Sequence, residues 1–390
     1  MKILHIVPSY HPAFFYGGPI YSVHLLNKTL VEKGIDVTVY TTNRNGPETL
    51  NVPLGTPVDV DGVRVFYFST SFPKSWFYSK ELCHMLKHTV KEFDLIHITS
   101  VFLSASFFGA RYAQKVGTPY IISPRGSLMK EPLVKSSGKK NLYIRFLERR
   151  NLLGAAAIHF TAHKEKEEYI KRGLPFKKSF VIPNGIELLG NQHVQQGAFH
   201  KRFGIATSKK LVLYHGRLGW KKGFDTLIPA FKRVVKKEPN AVLVIAAWSD
   251  EGYKTTLQRL IEKHNLESNV LLIDRLDGVL RAEAFAGASV FILTSYSENF
   301  GVGVVQAMEA GVPVIVTDGV AISSDIAKAE VGVVVPKRVD TVADAIVQIL
   351  ASESDARAMG ERARLFVQKQ YGSQKIADLF IKEYSELIQA

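Results

Sequence analysis

Short apolar runs alternate with amphipathic stretches along the whole chain, the rhythm of βα units built around parallel sheets. In the first half, Ile3–Val7, Val37–Thr41, Val63–Phe68, Leu95–Thr99, Tyr120–Ser123, Ala157–Phe160 and Phe180–Ile182 predict strands. Between them, Pro19–Lys33, Trp76–Phe93, Phe102–Val116, Lys139–Leu153 and His163–Arg172 have helical spacing. The second half restarts the pattern. It predicts strands at Leu211–Tyr214, Val242–Ala246, Val270–Ile273, Val290–Leu293, Val314–Val316 and Gly332–Val335. Its helices are expected at 222–237, 254–264, 302–310, 340–351 and 354–369, and Ser373–Ala390 is one more amphipathic helix.

Pro183-Asn184-Gly185 and the polar run from Gly190 to Gly197 read as a turn followed by a linker. They divide the chain into residues 1–190 and a second domain at 191–372. The expected fold class is α/β, with two Rossmann-like, doubly wound parallel sheets. Such folds bind ligands at the carboxyl ends of their strands, here in an expected interdomain cleft.

Composition narrows the class. Of 390 residues 46% are apolar and 22% charged, enough for two packed cores. The single cysteine, Cys83, excludes a disulfide framework, a Cys-rich zinc site and an iron–sulfur cluster, and suits a reducing compartment. No apolar run reaches the ~18 residues of a membrane span. The apolar start Ile3–Val7 stops at Pro8, which reads as a first strand and not a signal peptide. A soluble, cytoplasmic protein is expected.

The net charge of +14 is unevenly placed. Residues 1–190 carry 25 Lys+Arg against 14 Asp+Glu, and Arg125 to Lys178 alone carries 14 against 5. Either this is a solvated face or the N-terminal half meets an anionic partner. The segment Lys139–Arg150 has cationic ends around Leu142, Ile144, Phe146 and Leu147, a pattern able to lie on an anionic membrane surface. Its alternative is to pack those apolar residues into the core. No stacking aromatics are interleaved with the basic run in a recognisable nucleic-acid module, so no nucleic acid is expected.

Three local motifs carry chemistry. Thr294-Ser295-Tyr296-Ser297-Glu298-Asn299-Phe300-Gly301 follows a strand and opens a helix. It sets a carboxylate beside a helix N-terminus whose amides and dipole favour an anion, or else it is an ordinary capped turn. Gly216-Arg217-Leu218-Gly219-Trp220-Lys221-Lys222-Gly223 follows another strand. Arg217 and Lys222 there suit a diphosphate without a metal, with a solvated basic turn as the alternative. Tyr16-Gly17-Gly18-Pro19 follows the first strand but is not G-x-G-x-x-G, and the second strand ends Tyr40-Thr41-Thr42 without an acidic residue. That argues against a dinucleotide-dependent dehydrogenase. No His, Asp or Glu cluster reads as a metal site.

Taken in order, the Gly17-Gly18 loop, Pro183-Asn184-Gly185, Gly216-Arg217-Leu218 with Lys222-Gly223, and Ser297-Glu298 to Pro313 resemble the family-4 glycosyltransferases over essentially the whole chain. The resemblance implies the GT-B architecture, with helix 373–390 completing the N-terminal acceptor domain and a nucleotide-sugar donor held by the C-terminal one. It implies a retaining, metal-independent hexosyltransferase with no cofactor. Arg217 and Lys222 would bind the donor diphosphate, and Glu298 the hydroxyls of the transferred sugar. Asn299, Phe300 and Gly301 would add backbone amides, and Gly17 and Gly18 would approach from the other domain. The donor would be a UDP-sugar first and GDP-mannose next. The acceptor would be a glycan or lipid-linked saccharide in polysaccharide or glycoconjugate biosynthesis, with the enzyme cytoplasmic and peripheral to the inner membrane face.

Two departures stand out. The family's second glutamate, eight residues after Glu298, is Gln306 here. It keeps an acceptor for a ribose hydroxyl but loses charge assistance, a difference of roughly 1–2 kcal/mol. A histidine that many members carry after the strand Tyr120–Ser123 is replaced within Ser123-Pro124-Arg125-Gly126, similar to a subgroup with that element. Arg125 and His97 are therefore the acceptor-side candidates, while His5 and His159 read as packed core. The alternatives are a catalytically impaired nucleotide-sugar-binding protein of the same architecture and a nucleotide-sugar epimerase.

Overall fold

The computed structural model describes residues 1–129, 142–188, 195, 197–248 and 252–390. The chain forms two compact units, Met1–Gly185 with Ser373–Ala390, and Ile186–Gly372. The division falls at Gly185 and not at 190, because Ile186 donates its N–H to the Tyr371 carbonyl at 2.9 Å. Most of the polar linker, 189–194 and 196, lies outside the described residues.

In the first unit the strands are β1 (Lys2–Ser9), β2 (Asp36–Thr42), β3 (Arg44–Asn45), β4 (Glu48–Thr49), β5 (Pro57–Val60), β6 (Val63–Phe68), β7 (Leu95–Thr99), β8 (Tyr120–Ser123), β9 (Ala157–Phe160) and β10 (Ser179–Val181). Eight of them form one sheet in the order β10-β9-β8-β7-β1-β2-β6-β5. Every pairing is parallel except the β5–β6 hairpin. The order reverses between β1 and β7.

In the second unit β11 (Lys210–Arg217), β12 (Ala241–Trp248), β13 (Val270–Ile273), β14 (Ala288–Leu293), β15 (Val314–Thr317) and β16 (Val333–Val335) pair in the order β13-β12-β11-β14-β15-β16. All neighbours are parallel. The reversal lies between β11 and β14, the strands that carry the Arg217 and Glu298 motifs on their carboxyl ends. Open α/β sheets bind ligands at such a switch point.

The two-sheet α/β class expected from periodicity is the one observed. Several elements escaped the pattern: the edge strand β5, the β3–β4 ribbon, and the helices Ala198–Arg202, Gly278–Gly287 and Ser323–Lys328. Gly278–Gly287 begins and ends on glycine and buries three consecutive residues, Glu283, Ala284 and Phe285, so no helical period shows. The helix expected over Trp76–Phe93 is regular only at Lys80–Thr89, where the Ser79 hydroxyl caps the Leu82 amide at 3.2 Å. Of the expected Lys139–Leu153 helix, Lys139–Asn141 lie outside the described residues. The rest is a wide turn, Ile144–Glu148, running into the helix Arg149–Gly154.

The C-terminal helix Ser373–Gln389 belongs to the first core. Ile376, Phe380, Tyr384 and Leu387 pack among Ile3, Val23, Leu26 and Phe180. Each such side chain gains about 1.5–3 kcal/mol on burial, and Lys33–Asp378 and Lys178–Glu383 ion pairs flank the contact. Among the described residues, no helix is long and apolar enough to cross a membrane.

Candidate functional site

At the switch point of the second unit, β11 ends on Arg217 and a short turn, Trp220–Lys222, leads into the helix Phe224–Lys237. Beside it, β14 ends at Leu293, and residues 294–301 lead into the helix Val302–Glu309. The two connections are tied together by backbone. Tyr296 N–H donates to the Lys221 carbonyl at 2.8 Å, and Thr294 Oγ1 donates to the Lys222 carbonyl at 3.0 Å. Gly223 permits this approach, having φ +72° and leaving a Cβ only 2.0 Å from the Thr294 carbonyl oxygen.

The result is direct contact between two of the expected site residues. Lys222 Nζ donates to Glu298 Oε2, and both side chains are about one-fifth exposed, at 21% and 22%. The Glu298 backbone is clamped as well. Its N–H donates to the Gly319 carbonyl at 3.1 Å and its carbonyl accepts from Ala321 at 2.9 Å. Gly319 is required there, since a Cβ would meet the Ser295 carbonyl oxygen at 2.3 Å.

Arg217 is placed through Tyr214, whose buried hydroxyl donates to the Arg217 carbonyl at 2.8 Å. Burial drives the Tyr214 pKa well above its ordinary value. The Glu298 carboxylate pushes the same way and the Arg217 guanidinium opposes it, so both charges act on one hydroxyl. Asp225 accepts from the Tyr296 hydroxyl, and Lys337 Nζ stands 3.2 Å over the Tyr296 ring. Tyr214, Tyr296, Gly319, Asp225 and Lys337 were not singled out by the sequence. Only Asp318-Gly319 carried a signal, that of a turn dipeptide.

The remaining donor-side positions divide. The Phe300 and Gly301 amides donate to nothing among the described residues, so the start of the Val302–Glu309 helix presents N–H groups and its positive dipole end. The Phe300 side chain, by contrast, is core, 2% exposed and edge-on to Tyr371 at 5.5 Å. Asn299 precedes it in the same connection. Gln306 is half-buried on the helix and Glu309 is buried one turn on. In the first unit Gly17, with φ +72°, caps the helix Gly18–Glu32. Its N–H is taken by the Phe14 carbonyl at 3.0 Å, so this amide is spent within the turn. Gly18 opens the helix.

His97 is also corrected. It is fully buried, stacked on His5 with centroids 4.1 Å apart, and both ring nitrogens are bonded. The chain of bonds has a fixed direction. The Ile182 carbonyl can only accept, so His159 Nε2–H donates to it at 2.7 Å and His159 Nδ1 accepts from Ser123. Ser123 Oγ must then accept from His97 Nε2–H, leaving His97 Nδ1 to accept from the Tyr384 hydroxyl, each at 2.7 Å. Burial holds the ring neutral, with His97 far below its usual pKa and His5 and His159 pushed down to about 3. A residue so enclosed reaches no acceptor substrate. It locks the C-terminal helix to β7 and β8.

Arg125 follows β8 in a left-handed turn, φ +49°. Its Nη1 donates to Asn184 Oδ1 at 2.7 Å and Ser22 Oγ at 3.1 Å. Among the described residues, no group of three or more His, Cys, Asp or Glu gathers as metal ligands do.

The comparisons follow the same division. Residues 17–185 match the family model described as "Glycosyl transferase 4-like domain", and residues 195–366 match "Glycosyl transferases group 1". N-acetyl-alpha-D-glucosaminyl L-malate synthase of Bacillus anthracis is 30% identical over 189 residues, 48% of each chain, so the match spans about half the length of that relative. The uncharacterized glycosyltransferase MJ1607 of Methanocaldococcus jannaschii is 26% identical over 394 residues, 98% of each chain. Among solved structures of the GT-B type, Anabaena Alr3699/HepE in complex with UDP and glucose has a TM-score of 0.74 at 18% identity, covering 99% of this chain and 100% of that one. That likeness gives the fold.

Proposed function

Because this chain belongs to the group 1 and 4-like glycosyltransferases, we propose that it moves a hexosyl group from a nucleotide sugar to a glycan or lipid-linked saccharide, with retention and without a metal. A UDP-sugar is the first choice of donor and GDP-mannose the next. The observation that carries the reading is the Lys222–Glu298 pair at the β11–β14 switch point, next to a helix N-terminus.

An ammonium has three N–H groups. Glu298 takes one from Lys222, which leaves two for the oxygens of a diphosphate. The Phe300 and Gly301 amides and the helix dipole supply further positive potential, and Arg217 acts on the same locality. These are groups held in place before charge develops, the kind of stabilisation that dominates many rate enhancements. Glu298 accepts hydrogen bonds from hydroxyls of the transferred sugar and, as an anion, favours a developing oxocarbenium ion.

In the step itself the bond from the sugar C1 to the diphosphate oxygen breaks, and its electron pair leaves on that oxygen. The acceptor hydroxyl oxygen bonds to C1 on the same face and passes its proton to a phosphate oxygen. No side-chain base is needed. The UDP in the Anabaena neighbour supports the choice of nucleotide.

Exposed apolar side chains support a second element, peripheral contact with an anionic membrane. Leu142 and Phe146, one turn apart, are 60% and 66% exposed beside exposed Arg145, Arg149 and Arg150, while Ile144 turns into the core. Lys139 and Lys140 of that segment lie outside the described residues.

A thermal-shift screen of UDP- and GDP-sugars, followed by donor turnover, tests the reading. A bound donor at 100 times its Kd stabilises by about 2.7 kcal/mol, and slow hydrolysis without acceptor is expected. Retention of a donor without any turnover would mark an impaired binder. Interconversion of free nucleotide sugars would mark an epimerase, and no shift with any nucleotide would end the proposal.

A further inference from the structure

His84 and His88 stand four residues apart on the helix Lys80–Thr89, and both are exposed. That spacing puts the two side chains on one face, one turn above the other. Their rings lie with centroids 4.5 Å apart and planes inclined by 51°. The backbone beneath them is held at both ends. Ser79 Oγ accepts from the Leu82 amide in the first turn, and Thr89 Oγ1 donates to the Met85 carbonyl at 2.8 Å in the last. On the opposite face Leu82, Cys83 and Leu86 are buried, which fixes the pair toward solvent.

The ring separation has a chemical meaning. A metal–imidazole bond of about 2.0–2.1 Å, with about 1.1 Å more to the ring centre, puts each centroid about 3.2 Å from a shared ion. Two such ligands at a right angle have centroids about 4.5 Å apart, and at the tetrahedral angle about 5.2 Å. The observed 4.5 Å is the right-angle value. Exposed imidazoles turn readily about their last side-chain bond, so the nitrogens can face one ion at little cost. The neighbouring charges decide little. Lys80, Lys87 and Lys91 against Glu81 and Glu92 leave one positive charge, which salt screens beyond about 8 Å at physiological ionic strength. Burial pushes the Cys83 thiol up to about 12, so it stays protonated and does not compete as a ligand.

We propose that His84 and His88 form a two-imidazole chelate for one late first-row divalent cation, copper(II) first and nickel(II) next. Affinity for nitrogen ligands peaks at copper, and both ions take the tetragonal geometry that a right-angle pair supplies, whereas tetrahedral zinc(II) fits it less well. Among the described residues no third His, Cys, Asp or Glu joins the pair, and water completes the coordination. Met85, and no carboxylate, follows His84, so the spacing lacks the general base of a hydrolytic zinc motif and the site holds an ion without a reaction of its own. The proposal stands apart from the transferase reading, whose candidate residues lie on other elements.

The test titrates nickel(II) chloride, and then copper(II) chloride, into the untagged full-length protein by calorimetry in a non-coordinating buffer at neutral pH. Wild type should bind one nickel ion per chain with a micromolar Kd, and copper at least tenfold more tightly. His84→Gln and His88→Gln should each weaken nickel at least tenfold, and the double variant should lose little more. Either substitution removes the chelate, because the second imidazole binds within the molecule at high effective concentration. Acid should release the ion, since protons compete for the imidazole nitrogens. Thermal melts establish that the variants fold, and nickel should raise the Tm of wild type alone. Single variants that each keep half of the bound ions at an unchanged Kd would show two separate imidazoles and overturn the chelate. Tight nickel binding that survives in the double variant would place the ion elsewhere. Zinc(II) bound more tightly than nickel(II) would overturn the right-angle geometry, and absence of micromolar binding by wild type would end the proposal.

Discussion

Lys222 and Glu298, 76 positions apart in the chain, meet as an ion pair in which each side chain keeps about a fifth of its surface exposed. A pair this accessible adds little to stability. In the proposed reaction its worth lies in holding a cation and a carboxylate, one for phosphate and one for sugar, at adjacent points.

Neutralising the carboxylate should separate those roles. In Glu298→Gln, Lys222 loses its partner and becomes more available to phosphate, so UDP should bind equally well or a few-fold tighter. Turnover should fall roughly 10–100-fold, the loss of a hydrogen bond to a charged group. Calorimetry with UDP and with the full donor decides. Equal losses for both ligands would mean that Glu298 does not face the sugar. In the complementary change, Gln306→Glu, restored charge assistance should tighten UDP by about 1 kcal/mol.

Removing a cation should do the reverse. Arg217→Ala and Lys222→Ala should each cut turnover by roughly 10²–10³-fold, as loss of one preorganised donor does. Both residues lie in partly exposed connections, so melting temperature should hold within a few degrees. Wild-type turnover in both variants would remove these residues from the site.

The direction of the buried histidine chain can be checked by stability alone. In Tyr384→Phe, His97 Nδ1 loses its donor and remains buried, which should cost about 1–3 kcal/mol in urea unfolding. An unchanged midpoint would show that the tyrosine hydroxyl is not the donor.

Glu148 gives the molecule a pH-dependent weakness. It is 1% exposed, its Oε2 has no partner, and burial lifts its pKa to about 7 against an ordinary 4.5. The folded state therefore holds a proton that the unfolded state releases. Stability is full below pH 4.5 and falls as pH rises to about 7, by roughly 3 kcal/mol for this group. Glu148→Gln should stabilise the protein at pH 8 and make little difference near pH 4.5. A gain that does not grow with pH would contradict the assignment. His5 and His159 act in the opposite sense, withdrawing stability as pH drops below 6.5 toward about 3, and buried His97 shifts in the same direction, so the variant and not the wild-type profile is the clean readout.

Co-sedimentation with vesicles tests the exposed Leu142–Phe146 face. Binding should rise with anionic lipid and fall as salt shortens the Debye length. Changing Arg145, Arg149 and Arg150 to Ser should remove roughly 1 kcal/mol per residue of attraction without altering UDP affinity. Protein that stays in the supernatant at low salt, with anionic vesicles present, would exclude the membrane element.

The sequence by itself determined the two parallel sheets and the connections that matter. Strands such as Leu95–Thr99 and Val314–Thr317 are buried on both faces and so appear as short apolar runs, and the residues that follow them are forced to the sheet's carboxyl edge. The place of Arg217, Lys222 and Glu298 at the carboxyl ends of β11 and β14 was legible for that reason. Tertiary structure decided what each group touches. Periodicity cannot tell whether His97, at a strand position near the carboxyl edge, faces a ligand or a helix arriving 287 residues later; packing of the Ser373–Gln389 helix turned it into core. Nor can spacing pair Lys222 with Glu298, or reveal that Arg125 meets Ser22 and Asn184 but, among the described residues, no carboxylate. Those outcomes depend on which strands become neighbours and which charges are desolvated together, quantities that exist only once the sheets have formed.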